Sequence, residues 1–412
     1  MCAALIICFQ GLYFSMVIFR LLVILLIAFA MTLLTSFALK AETDFALESG
    51  DQFTATLLSE YGQISNFLNQ GSDEESTGYV KIEPSVFIQT QLSRHLIQLA
   101  TKVSHYQFNN FSEDDHNNLL FKPSYFFKLD HNKTLFADIK LQESYEYRGT
   151  GLSLGNAELI TSGDDKKSLA ANIGYLYGQI DSVAKLKLSI GQEDFRYKTR
   201  RAENKALDRV DQSVAASFDY LLSGKTYFAA DLAYTQSNFQ NNSPLNKDIY
   251  AVLVGMKWQS TAITQLQALI GYQRLTFEET LFASDTRFKW RVDINWQPTN
   301  FMQMNINTQR NYETTNRIVD SYRVVDSTNL QLTHQLTDYF QTSAVVGYRQ
   351  EKVVYLEQTI NEDYLYSEVR LNYQRNDWLT VFAGFTFKEL TASDDRLNNQ
   401  GNSLSLGFNV NI

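Results

Sequence analysis

From Arg287 to Arg310 the chain reads RFKWRVDINWQPTNFMQMNINTQR. Every second residue from Phe288 is apolar: Phe288, Trp290, Val292, Ile294 and Trp296. The residues between them are Arg287, Lys289, Arg291, Asp293 and Asn295. After a Pro-containing turn the rhythm resumes, with Met302, Met304 and Ile306 set against Gln303, Asn305 and Asn307. A period of two is the signature of extended strands whose faces meet different surroundings. The pattern recurs almost to the last residue. Ala184, Leu186, Leu188 and Ile190 alternate with Lys185, Lys187 and Ser189, and Leu404, Leu406, Phe408 and Val410 with Ser405, Gly407 and Asn409.

The connections alternate too. Short ones fall near 91–94, 130–132, 180–182, 223–225, 260–262, 298–300, 337–338 and 376–377. Long polar ones fall near 67–78, 109–117, 148–166, 198–208, 240–247, 278–286, 312–326, 351–362 and 392–401. This rhythm predicts an all-β, up-and-down, antiparallel transmembrane barrel, with short periplasmic turns and long outer loops. Counting residues 53–66 as the first strand, although FTATLLSEYGQISNF alternates poorly, predicts eighteen strands, with sixteen as the alternative. The apolar face then meets lipid, and the charged face meets a water-filled lumen. A soluble sandwich would bury its apolar faces between sheets and favour Greek-key crossovers.

The first residues differ in kind. Leu21 to Leu39 carries no charge, Arg20 precedes it, and small residues at 36–38 and 39–41 suit cleavage. Residues 1–41 are expected to be a secretory signal peptide, over-long, with Met16 an alternative start. Residues 42–52 form a short periplasmic segment and 53–412 the barrel. Cys2 and Cys8 both lie in the leader, so disulfides do not stabilise the remainder. A net charge of −9 over 412 residues does not suggest a nucleic-acid partner.

Trp258, Trp296, Trp378 and Phe340 stand beside expected periplasmic turns, and Trp290 shares the apolar face of its strand. They are assigned to the lipid face and its aromatic girdle. The C-terminal strand of such barrels serves as a signal to the barrel-assembly machinery. Here Ile412 ends the chain and the nearest aromatic residue is Phe408. The inward register carries Lys185, Lys187, Lys257, Arg287, Lys289, Arg291, Asp293 and Arg370, and basic residues outnumber acidic ones along it. These are the candidate lumen-lining residues, and a pore with one excess sign concentrates opposite ions. With so few residues before the first strand, any constriction is expected from folded-in loops, 148–166 being the longest.

No arrangement for catalysis is visible. The five histidines have no metal spacing, no cysteine ligand is available, and no nucleophile elbow occurs. The acidic runs at 73–75, 112–115 and 162–165 lack EF-hand spacing and read as solvated loops. No catalytic residue, metal site or cofactor is therefore expected.

Three stretches, WQPTNFMQMNINTQRNYETT (296–315), LTHQLTDYFQTSAVVGYRQE (332–351) and YQRNDWLTVFAGFTFKE (373–389), resemble the putative β-barrel porin 2 family. IEPSVFIQTQLSRHLIQL (82–99) is similar to that family's N-terminal part. The resemblance implies an outer-membrane barrel, often encoded with exopolysaccharide or capsule genes. The expected function is a conduit for export of an anionic polysaccharide, supplied by a synthesis or export complex. Alternatives are a general or solute-specific porin, and a structural barrel whose outer loops anchor matrix polymer.

Overall fold

The structure, a computed structural model, describes residues 51–412 except 180, 262, 315–316, 318–320 and 356–357. The expected leader, 1–41, lies outside the described residues, as does nearly all of the 42–52 segment.

Eighteen strands follow one another along the chain: Gln52–Ile64 (β1), Thr77–Leu92 (β2), His95–Phe108 (β3), His116–Lys128 (β4), Lys133–Glu146 (β5) and Asp164–Tyr177 (β6). Then come Ala184–Tyr197 (β7), Arg209–Ser223 (β8), Thr226–Phe239 (β9), Lys247–Thr261 (β10), Thr264–Phe277 (β11) and Asp285–Thr299 (β12). The last six are Met302–Glu313 (β13), Tyr322–Gln335 (β14), Phe340–Tyr355 (β15), Gln358–Asn376 (β16), Leu379–Ala392 (β17) and Asn399–Asn411 (β18). Each pairs antiparallel with its neighbours in sequence, and β1 pairs with β18, so the 18-stranded sheet closes into a barrel without edges.

The weakly alternating first strand makes that closure. Leu57 sits opposite Val410, and Tyr61 opposite Leu406. Phe53, Leu57 and Tyr61 project outward, while Thr54, Thr56 and Glu60 take the other face. Its apolar set is diluted because Ala55 and Ser59 share the outer face and Leu58 the inner one.

The alternation sorts the rest in the same way. Ile270, Tyr272, Val252, Val254, Met256, Leu404 and Leu406 form part of an exposed outer belt. Charged residues on the outer face, such as Asp194, Arg196, Arg274 and Lys352, lie toward strand ends, leaving the middle of the belt uncharged. A hydrocarbon layer solvates such a belt at no polar cost, since every backbone group of a closed barrel finds its partner within the sheet. The ladder lapses between Ile82 and Ser85 and between Phe121 and Ser124, beside Pro84 and Pro123, which have no amide hydrogen to donate.

Two expected connections differ. Residues 351–362 do not form a long loop, because β15 and β16 stay paired through Glu351↔Glu362 to Tyr355↔Gln358. Their polar residues suggest a loop, but above the membrane a hairpin needs no apolar face. The other is the end of β13. It pairs with β12 only from Gln309↔Arg291 toward the short turn, yet stays paired with β14 as far as Glu313↔Arg323. The tip of the β13–β14 hairpin thus leaves its neighbour and leans into the barrel.

Candidate functional site

The inner wall is the candidate site, and pairing places each expected lining residue on it. Lys185 and Lys187 (β7), Lys257 (β10), Arg287, Lys289, Arg291 and Asp293 (β12), and Arg370 (β16) all share the face opposite the apolar belt. Their surroundings divide them into two groups. Lys257 Nζ lies 2.7 Å from Asp219, Arg287 Nε 2.6 Å from Asp285, and Arg370 Nη2 3.4 Å from Glu368. Arg291 pairs with Asp231 across two intervening strands and lies 3.8 Å from Asp293. Lys185 and Lys187 have aromatic company instead, with ammonium groups 4.1 Å from the Tyr227 ring and 5.5 Å from the Phe136 ring.

The basic excess expected for the whole lumen is therefore too broad. Glu60, Glu351, Glu362 and Asp285 also face inward, the first three of them buried. Each lies on a segment whose register the sequence obscures: the first strand, the extended β15–β16 hairpin, or the start of β12. They neutralise arginines on their side. Arg323 Nη1 is 2.8 Å and Arg349 Nε 2.6 Å from Glu351, and Arg317 Nη1 is 2.7 Å from Glu362. Part of the surplus that remains is gathered in one arc. Lys122, Lys128, Lys140, Lys185 and Lys187, on β4 to β7, show no carboxylate within ion-pair distance among the described residues; Lys102 on β3 lies 3.7 Å from Glu83.

Two structures narrow the loop-side mouth. One is the tip of the β13–β14 hairpin. Its Tyr312, Tyr322 and Val324 pack on Leu275 with Ile249 and Phe277, all three on the inner faces of β10 and β11. The wholly buried Lys247 donates to the Ser321 carbonyl at 3.2 Å, and Tyr312 donates its backbone N–H to Gln273 at 3.2 Å. Arg287 and Lys289 lie beneath this tip, Lys289 donating to Asn311, so neither fully faces an open channel. Residues of alternating outward register, such as Tyr312, turn inward here because β12 no longer holds them.

The second is the 147–163 loop, the one expected from its length. Leu152 reaches the cluster of Tyr197, Leu207, Phe239 and Leu245 under the outer loops of β7 to β10. Glu158 accepts from Gln70 at 3.0 Å, and the Arg148 carbonyl accepts from Asn69 at 3.0 Å. Its anchor is Asp114, fully buried, which accepts from Tyr145 Oη at 2.6 Å and from the Gly163 amide at 3.0 Å while pairing with Arg148. Beside it, burial pushes the Asp115 carboxyl above its ordinary range. Nearby, Arg200 is held further into its charged form, first by its hydrogen bonds to Asp164. Between the loop and the β14–β18 wall lies a cavity of about 1030 Å³, lined by Tyr79, Tyr106, Tyr147, Tyr364 and Tyr366 with Arg349, Arg370 and Lys388.

On the outer surface Trp258, Trp296, Trp378 and Phe340 are exposed near the short turns. Trp290 lies farther up, its indole covered by the Arg310 guanidinium at 4.3 Å, which also pairs with Asp326 at 2.5 Å. That outward ion pair marks where the apolar belt ends on the loop side. Among the described residues no cluster of His, Cys, Asp and Glu could hold a metal ion, and no helix is long and apolar enough to cross a membrane.

A model of the family described as Putative beta-barrel porin 2 matches residues 57–412. Among solved structures the chain is similar to the siderophore receptor PirA from Acinetobacter baumannii, at 8% identity and TM-score 0.45, covering 88% of this chain and 81% of that one. It is also similar to the FrpB iron transporter from Neisseria meningitidis (9%, TM-score 0.44, 89% and 82%). A third is the ferric-catecholate import receptor Fiu from E. coli K12 (9%, TM-score 0.44, 88% and 82%). Likeness at this level carries nothing about what the present chain binds. No curated protein matches it in sequence.

Proposed function

From the premise that this chain belongs to the Putative beta-barrel porin 2 family, we propose that it lies in a bacterial outer membrane as a non-enzymatic conduit for an anionic polysaccharide leaving the cell. The observation that carries the reading is the arc of lysines on β4 to β7. Among the described residues Lys122, Lys128, Lys140, Lys185 and Lys187 turn toward the lumen with no carboxylate within ion-pair distance, although Asp138 and Glu193 share that face. Elsewhere most inward charges are paired, although Lys247 and Lys289 bond only neutral groups and Lys388 has no ion pair among the described residues. A one-sided cationic arc attracts a carboxylated chain along its length and, being unforked and mobile, releases it readily. Diffusion or a push from a periplasmic synthesis or export complex moves the polymer. The barrel-assembly machinery inserts the protein.

Deleting the gene and assaying released polysaccharide tests the role. Loss of extracellular polymer, restored by the wild-type chain, is expected; unchanged release overturns it. A second reading, a solute-selective porin, draws on the 147–163 loop that narrows the mouth. It expects uptake of small solutes to fall on deletion while polymer release continues. Outer loops that anchor matrix polymer on a closed barrel would instead leave a planar bilayer without conductance.

A further inference from the structure

Opposite the lysine arc the wall is of another kind. In a ring of eighteen strands, β4 to β7 face β13 to β16 across the lumen. Every inward residue of β13 from Gln303 to Asn311 is a carboxamide: Gln303, Asn305, Asn307, Gln309 and Asn311. Its neighbours continue the surface. Asn295 on β12 sits opposite Asn305, which sits opposite Gln331 on β14, and Asn307 sits opposite Asn329. With Gln265, Asp293 and Lys257, the last neutralised by Asp219, these residues line a pocket of about 380 Å³.

These amides are mostly unbonded. Asn307 donates to Asp293, but no side-chain hydrogen bond ties Asn295, Asn305, Asn329 or Gln331 to another described residue. A wall held together by its amides would show them bonded to one another. Each carboxamide presents donors and acceptors at once and carries no charge. That suits a sugar hydroxyl, which also donates and accepts, and suits ions poorly. Along one strand the groups repeat about every 7 Å, so a chain of sugar rings meets a new amide as it advances. Hydrogen bonds that are individually weak in net terms hold such a chain without trapping it.

We propose that Asn295, Asn305, Asn307, Asn329 and Gln331 form a binding subsite for the uncharged hydroxyl faces of pyranose rings. It rests on the reading of the lumen as a polysaccharide path and divides the labour within it. The lysine arc takes the carboxylates, and the amide strip takes the hydroxyls on the other side of the same chain.

The test uses the full barrel folded in detergent and a neutral probe, maltohexaose, with binding followed by saturation-transfer NMR and calorimetry. Asn305→Leu with Gln331→Leu is expected to weaken binding about tenfold or more. Asn305→Ser with Gln331→Ser, which shortens the reach but keeps the wall wet, is expected to do the same if the leucine pair does not fold. Arg396→Gln, on the exposed loop between β17 and β18, is expected to leave maltohexaose affinity unchanged. Failure of the wild-type barrel to bind the probe, or equal affinity in a folded amide variant, overturns the subsite. Conductance of the same preparation in a planar bilayer separates the two readings. A barrel that binds maltohexaose but passes no current keeps the subsite and loses the conduit. One that passes current but ignores the amide substitutions loses the subsite alone.

Discussion

Arg148 places two guanidinium nitrogens on one oxygen of the fully buried Asp114, Nε at 2.9 Å and Nη2 at 2.5 Å, leaving the other oxygen to Tyr145 and Gly163. This pair ties the 109–115 loop to the loop that crosses the mouth. It lies above the apolar belt, among the rings of Phe67 and Phe111, which stack, and of Phe108, tilted against Phe67.

Asp114→Ala leaves the Arg148 charge buried and unpaired, and frees the Tyr145 hydroxyl and the Gly163 amide. Breaking a buried pair on one side costs about 3–5 kcal/mol, here felt by the loop rather than by the barrel. We expect larger single-channel conductance and a new protease cut within 148–163, with the detergent-resistant barrel intact. Conductance and limited proteolysis measure both.

Gly149 reaches the same end by a different route. Its φ is +73°, and an added Cβ would stand 1.9 Å from the Leu68 carbonyl oxygen. Gly149→Ala therefore suffers both left-handed strain, about 1 kcal/mol, and a backbone collision that only loop displacement relieves. The expected result matches Asp114→Ala in conductance. A variant with wild-type conductance and proteolysis would contradict the placement of this loop.

Charge selectivity should follow pairing rather than proximity to the lumen. Lys122→Gln, Lys140→Gln and Lys187→Gln together remove unneutralised cations and should move the reversal potential in a KCl gradient toward cation preference. Reversing Arg287, Lys289 and Arg291 to glutamate leaves Asp285 and Asp231 facing like charges and should shift selectivity in the same direction with some loss of stability. Unchanged reversal potentials in both sets would contradict the inward assignment.

The outer belt is tested at its middle. Ile270 is exposed on β11, and Ile270→Arg should cost about 2–4 kcal/mol in a lipid bilayer. Asn307→Arg, on the opposite face of the wall, should cost far less. Urea unfolding in lipid vesicles compares them, and equal costs would mean that hydrocarbon does not bathe the Ile270 face.

Much of the wall is legible in the amino-acid order. In β12 a strict alternation of Phe288, Trp290, Val292, Ile294 and Trp296 with charged and polar residues assigns both faces, because a one-residue slip would send every charge into lipid. The same reasoning orders β7, β10, β17 and β18. It falters in β1, where Leu58 and Ala55 blur the pattern, and at 351–362, where a hairpin standing in water has no need to alternate.

Most of the lipid-facing set and of the interior set follows from one local rule. Side chains alternate residue by residue between two immiscible surroundings, and a single chain records that alternation directly. The traffic across the interior obeys no such rule and is fixed only when the chain folds. Whether Arg291 reaches Asp231, whether the β13–β14 tip leans onto Leu275, and which lysines stay without a carboxylate all depend on atoms dozens of residues apart. Barrel closure brings those atoms together, and no local period encodes the distance between them.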